Sequence, residues 1–194
     1  MIESLKDSLQ DGEVLGYFYC DFRDERSTSA AELMRSLLSQ LLQHLRRQMV
    51  DPGDLIEELA EEKDEGASTI SNAMLLARLV CRAAKLFPQQ PFLVIDALDE
   101  YKDVDILLKA LVELRGIRLF VTSRPHNIIK DKLSGFPTID MEVMKYCVSA
   151  DIRLHVTREM DSHRRLRIID DSSKEKIYFK LCNQAGGMWV QYTV

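Results

Sequence analysis

A chain of 194 residues can build one good core, or one domain and the start of another; its 46% hydrophobic and 29% charged residues place it among ordinary globular proteins and exclude intrinsic disorder. A net charge of −5 gives no electrostatic footprint for nucleic acid, and the basic runs at Arg46-Arg47 and Arg164 to Arg167 read as solvated helix faces. The four cysteines lie far apart with no C-x-x-C pair and no signal peptide precedes them, which fits reduced thiols in a cytoplasmic chain; no apolar run approaches the roughly 18 residues of a membrane span.

Ile2, Leu5 and Leu9 put apolar residues at helical spacing before the stop signal Asp11-Gly12. Val14 to Phe22, VLGYFYCDF, is rich in β-branched and aromatic residues and reads as a strand, followed by a polar loop to Ser29. A long helix begins there: Leu33, Met34, Leu37, Leu38, Leu41, Leu42, Leu45 and Met49 form one apolar stripe, which the Asp51-Pro52-Gly53 breaker ends. The stripe suits packing on a sheet better than a partner-binding zipper. A short acidic helix and loop over 54–66 follow, then a helix capped by Thr69 or Ser71 that buries Leu75, Leu76, Leu79, Val80, Ala83 and Leu86.

Phe92 to Glu100, FLVIDALDE, is the centre of the chain. Its four consecutive apolar residues suit a strand buried on both faces of a parallel sheet. Asp96 then stands at the strand's carboxyl end, where open α/β sheets bind ligands, and Asp99 and Glu100 follow on the loop. A carboxylate at such a tip is a hard oxygen ligand suited to Mg²⁺, which uses one or two protein carboxylates with substrate phosphates. A second acid three or four residues on suits orienting or deprotonating a water. The same acids read equally as helix caps on a solvated loop.

Asp103 is placed to cap a helix carrying Ile106, Leu107, Leu108, Leu111 and Leu114, closed by Gly116. Ile117 to Thr122, IRLFVT, is a further strand, tipped by Ser123-Arg124-Pro125. If the two strands are neighbours, Arg124 faces the same crevice as the acids. There it can fork onto a terminal phosphate or pair with Asp99 or Glu100. A short helix over 127–133 and a last strand over Phe136 to Met141 follow, with Pro137 at its start or on an edge. From Ser149 onward only helices are expected, one from Asp151 to Met160 capped by Ser149 and one from Lys174 to Gln184 capped by Ser172 or Ser173, before Gly186-Gly187 breaks the chain.

Together these stretches resemble the NACHT branch of the STAND signalling NTPases, and in particular the nephrocystin-like N-terminal module abundant in fungal proteins. LVID-A-L-DE matches the extended Walker B pattern at every position; LFVTSRP looks like the sensor 1 strand, and VLGYFYCDFRDE like the strand after the first helix. Ile139 to Ile152 resembles the strand and helix start that close the NTPase core, and Gly186 to Trp189 a segment of the helical extension, with a departure after Met188. The resemblance implies that Asp96 holds Mg²⁺ through water, that Asp99 and Glu100 place or activate the hydrolytic water, and that Arg124 senses the γ-phosphate of ATP or GTP. It implies a conformational switch acting in self/non-self recognition or cell-death signalling, with homotypic NACHT oligomers as partners and no nucleic acid or membrane.

One motif departs from the family. None of the eight glycines is followed by lysine, so the phosphate-cradling G-x-x-x-x-G-K-[ST] loop is absent from the sequence. The expected fold is therefore α/β, a partial P-loop NTPase over 1–146 with a parallel sheet flanked by helices and its first strand and P-loop missing, followed by a small all-helical extension over 147–194. The missing strand leaves unpaired edges, and these residues alone are expected not to hydrolyse ATP. The competing expectations are a nucleotide-free scaffold that associates with full-length relatives, and a haloacid-dehalogenase-type phosphohydrolase. The latter needs Asp-x-Asp, whereas Asp96 and Asp99 are three apart.

Overall fold

A computed structural model describes residues 2–21, 23, 29–61, 69–101, 104–114, 116–140, 143–163 and 167–185. The expected cap Asp103 and the Gly186 to Trp189 segment lie outside them. The chain divides into two compact units, Met1–Phe136 and Pro137–Val194.

The first unit is α/β, with a three-stranded parallel sheet in the order β1-β2-β3: β1 (Leu15–Tyr19), β2 (Phe92–Asp96) and β3 (Arg118–Val121). Its helices are α1 (Ile2–Ser8), α2 (Ala30–Arg47), α3 (Leu55–Glu61), α4 (Thr69–Ala84), α5 (Val104–Glu113) and α6 (Asn127–Lys132). The uninterrupted apolar run of β2 has the expected cause, since alternate residues enter two separate cores. Leu93 and Ile95 join Leu33, Leu37, Leu41, Leu76, Leu107 and Leu111 of α2, α4 and α5 in the main cluster. Val94 turns to the other face, where Ile2 and Leu15 bury against it with Leu5, Leu9, Tyr17 and Phe92 packed around them.

Gly16 sets how closely α2 approaches β1. A Cβ built there would lie 2.8 Å from Leu93 Cδ2 and 3.7 Å from Leu37 Cδ2, so the sheet and helix meet where a side chain is missing. Beside it Gln40 of α2 closes the outer edge of β1. Its carboxamide accepts the Tyr17 N–H at 3.0 Å and donates to the Tyr17 carbonyl at 2.8 Å, taking the place of a neighbouring strand. Among the described residues β3 pairs with β2 alone, and Phe120 on it is 46% exposed.

The expected apolar stripe of α2 is buried except at half-buried Leu42 and at its end. The helix stops at Arg47, before the Asp51-Pro52-Gly53 breaker, because Val50 N–H donates to Leu45 O and Met49 N–H to Arg46 O. That pairing puts Met49 in the left-handed region (φ 56°), and its side chain leaves the stripe, 94% exposed.

The strand expected over Phe136 to Met141 does not form: residues 137–140 have no regular structure, and Met141 lies outside the described residues. Pro137 removes one donor, and Ile139 stays 71% exposed, so neither a ladder nor a buried face supports a strand there. The second unit holds α7 (Lys145–Ser162) and α8 (Asp171–Ala185), with Val148, Ile152 and Met160 buried. Helix α7 starts earlier than expected, so Ser149 and the Asp151-Ile152 pair lie inside it and start nothing. Nor does Ser172 or Ser173 cap α8. Asp170 Oδ1 accepts the Ser173 N–H at 3.0 Å, and hydrogen bonding to the Ser173 side chain first and to its N–H next holds the Asp170 carboxyl below its usual range. Arg153 of α7 pairs with Glu175 of α8 at 3.0 Å and lies over the Tyr178 ring. No helix among the described residues is long and apolar enough to cross a membrane.

Candidate functional site

The candidate site is built where β2 and β3 end, at the carboxyl rim of the sheet. Past β2 the backbone of Ala97 turns into the left-handed region (φ 60°, ψ 49°), a conformation unfavourable for a residue with a Cβ. The turn has a purpose visible in its neighbours. Leu98 is driven into the main core, and a 3₁₀ turn over Leu98–Glu100 lifts Asp99 and Glu100 to the rim.

Thr122, the residue after β3, holds that turn. Its N–H donates to Ile95 O at 3.0 Å, its carbonyl accepts the Leu98 N–H at 2.9 Å, and its hydroxyl oxygen accepts the Ala97 N–H at 2.9 Å. The same hydroxyl donates to Asp96 Oδ1. Two residues on, the Arg124 N–H donates to Asp99 Oδ1 at 2.9 Å, and the Arg124 guanidinium Nε lies 3.5 Å from Asp99 Oδ2. The acidic tip and the arginine tip are thus joined along their length.

All of Asp96, Asp99, Glu100 and Arg124 therefore meet at one rim, as the sequence leads one to expect, but in unequal situations. The Asp99 side chain is 14% exposed and occupied by Arg124, whose own side chain is 70% exposed. This is the ion pair weighed from the sequence; at such exposure it contributes about 0–1 kcal/mol, so the backbone bond from Arg124 is the firmer tie. Glu100 is half-buried beside them. A cleft of about 300 Å³ opens on the α5 and α6 side of the tip, lined by Asp99, Tyr101, Val104, Asp105, His126 and Ile129.

Three further residues belong to this rim. Cys20, just past β1, donates its N–H to Asp96 O at 3.0 Å. Burial, and after it the charges of Asp96, Glu100 and Asp99, push its thiol up to about 12. Arg23 pairs with Asp21 at 3.1 Å, which raises its guanidinium, with Glu100 adding to the effect. Thr122 is the third. A hydroxyl at a strand tip is a common enough pattern that only its long-range partners single it out.

The donor set fits Mg²⁺ in one respect and limits it in another. It is all oxygen, and Thr122 fixes one oxygen of Asp96 at the mouth of the sheet, as a cation that relies on a single protein carboxylate requires. No group of three His, Cys, Asp or Glu side chains gathers among the described residues, so the protein offers no cage of its own.

The family model described as Nephrocystin 3, N-terminal, matches residues 1–124, which spans the whole sheet and both tips. No curated protein and no solved structure matches the chain.

Proposed function

The chain belongs to the Nephrocystin 3 N-terminal family, and from that premise we propose that it carries the metal-holding and phosphate-sensing half of a cytoplasmic NACHT-type nucleotide switch. The observation that supports this most is the cross-bonding of the Asp96-to-Glu100 turn to the Thr122-to-Arg124 turn at the carboxyl ends of neighbouring parallel strands. In this reading Asp96 holds Mg²⁺ through water, and the metal supplies charge neutralisation for the phosphates of ATP or GTP. Glu100 is the carboxylate available to orient or accept a proton from water. Asp99, occupied by Arg124, anchors the sensor turn, and the exposed Arg124 guanidinium exchanges Asp99 for a terminal phosphate when one is present.

The 194 residues hold no G-x-x-x-x-G-K-[ST] sequence, the element that supplies most of the grip on a triphosphate, so these residues alone bind nucleotide weakly. Titration calorimetry with Mg²⁺-ATP and Mg²⁺-GTP tests this. Heats indicating a Kd weaker than about 100 µM, abolished by Asp96→Asn and reduced by Arg124→Gln, are expected, since a few oxygen contacts without a phosphate cradle bring little binding free energy. Micromolar binding indifferent to both substitutions would overturn it.

A second reading is favoured by the edge of β3 and its half-exposed Phe120, which suit a nucleotide-free scaffold that associates with full-length relatives. A monodisperse monomer at high concentration that fails to retain such a relative counts against it.

A further inference from the structure

The Thr122 hydroxyl sits between two groups that the proposed site uses, and its hydrogen-bond directions can be worked out. The Ala97 N–H points at Oγ1 from 2.9 Å, so that oxygen is an acceptor there. Its own proton must then go to another neighbour, and the neighbour in reach is Asp96 Oδ1. A hydroxyl that accepts from a backbone amide and donates to a carboxylate has both partners fixed, and each bond polarises the other. The arrangement is also tied to the sheet, because the Thr122 N–H and carbonyl bond to Ile95 and Leu98 on either side of the same turn.

From this geometry we infer that Thr122 is a positioning residue: one side chain on β3 sets both the orientation of the Asp96 carboxylate and the left-handed turn that delivers Asp99 and Glu100 to the rim. The consequence for Asp96 as a metal-holding group rests on the reading above; the orientation itself does not. Ala97 stays left-handed against its steric preference because its N–H is received by Thr122 and Leu98 is received by the core. Valine has the shape of threonine without the hydroxyl. It keeps the backbone bonds and removes both side-chain bonds at once, leaving the Ala97 N–H without an acceptor and Asp96 free to turn. Serine keeps them.

The test uses the isotope-labelled chain and its Thr122→Val and Thr122→Ser variants. Three-bond couplings from the Asp96 amide nitrogen and carbonyl carbon to its carboxyl carbon report the χ1 rotamer in solution. A single rotamer in the wild type, averaging in Thr122→Val and return to one rotamer in Thr122→Ser are expected. A wild type that already averages, or a Thr122→Val chain that keeps one rotamer, overturns the inference whatever the metal does. If Thr122→Val fails to fold, Thr122→Ser against Thr122→Ala makes the same comparison. Mn²⁺ as a paramagnetic probe supplies the second readout, with broadening centred on residues 96–100. Thr122→Val is expected to weaken Mn²⁺ about fivefold, the worth of one ordinary hydrogen bond, and Thr122→Ser to stay within about twofold. If Asp96→Asn removes the broadening while Thr122→Val matches the wild type, the role of Thr122 falls and the metal reading stands. If Asp96→Asn changes nothing, the metal reading falls and the couplings alone decide on Thr122.

Discussion

Gly16→Ala is the sharpest test of how the sheet meets its helices. The added methyl would lie 2.8 Å from Leu93 Cδ2 and 3.7 Å from Leu37 Cδ2, whereas carbon atoms settle at about 3.5–4.0 Å. Leu93 and Leu37 are fully buried, so neither can swing away into solvent. Overpacking of this kind costs about 1–3 kcal/mol. Against it stand about 0.8 kcal/mol for burying a methyl and about 0.4–1 kcal/mol from a stiffer unfolded chain. With Leu93 immobile the cost belongs at the upper end, and a net loss of about 1–2 kcal/mol is expected. Urea unfolding followed by the amide NMR intensities of β1 and β2 measures it. The decisive comparison is the Leu93→Val background, where the clashing Cδ2 is gone, only the two favourable terms remain and Gly16→Ala is expected to stabilise by about 1–2 kcal/mol, a coupling of about 3 kcal/mol. An equal cost in both backgrounds, or a Gly16→Ala chain more stable than the wild type, would refute the argument that this contact sets the distance between β1 and α2.

Met49→Gly is expected to stabilise the first unit by about 0.5–1 kcal/mol, since it removes left-handed strain of about 1–2 kcal/mol, returns part of that as unfolded-chain entropy, and loses no packing from a side chain 94% exposed; the urea midpoint checks it. Cys20 is expected to resist alkylation at pH 8 in the native chain while exposed Cys147 reacts, as read by mass spectrometry after iodoacetamide. The native thiol titrates near 12 and the unfolded one near 9.0, so between those values the native state holds the extra proton; this contribution to stability is complete below pH 9.0 and is lost as pH rises toward 12. Urea midpoints above pH 9.0 are therefore expected to fall less steeply in Cys20→Ala than in the wild type. Asp99→Ala is expected to speed hydrogen exchange of the Arg124 amide about tenfold, because the acceptor 2.9 Å away is lost, while Asp99→Asn keeps most of the protection.

What the sequence made legible was everything that depends on local pattern. The unalternated run of β2 needed only two apolar faces, and the stripe of α2 only the period of a helix. The two tips were legible because polar residues follow strands abruptly at Asp96 and Thr122. Features resting on distant partners were not. Nothing in D-A-L-D-E says that Ala97 is left-handed; that follows from a threonine 25 residues away. Gln40 reads as a polar position on an apolar helix, yet it serves as the missing neighbour of β1. The strand expected at Phe136 failed for the same reason in reverse. Its composition was adequate, but a strand exists through the edge it pairs with, and neither Pro137 nor exposed Ile139 found one. Ser149 resembles a cap in sequence, whereas the apolar face including Val148 and Ile152 carries α7 through it.

The edges of the sheet are finished differently, and the difference explains how three strands suffice to fix the site. On β1 a side chain from α2 replaces a strand, so that edge is closed from within. β3 carries half-exposed Phe120, and among the described residues it is paired on its inner side alone. The bonds that tie the two tips together lie on that inner side: Thr122 to Ile95, to Ala97, to Leu98 and to Asp96, and Arg124 to Asp99, while from the β1 side the Cys20 N–H holds the Asp96 carbonyl. Not one of the bonds between the tips passes through β1 or through the open edge. The orientation of the Asp96 and Asp99 side chains is therefore a property of the β2 and β3 pair, and a bound phosphate that took the Arg124 guanidinium would remove its ion pair with Asp99 while the Arg124 N–H kept its hydrogen bond, before any layer of the core was disturbed.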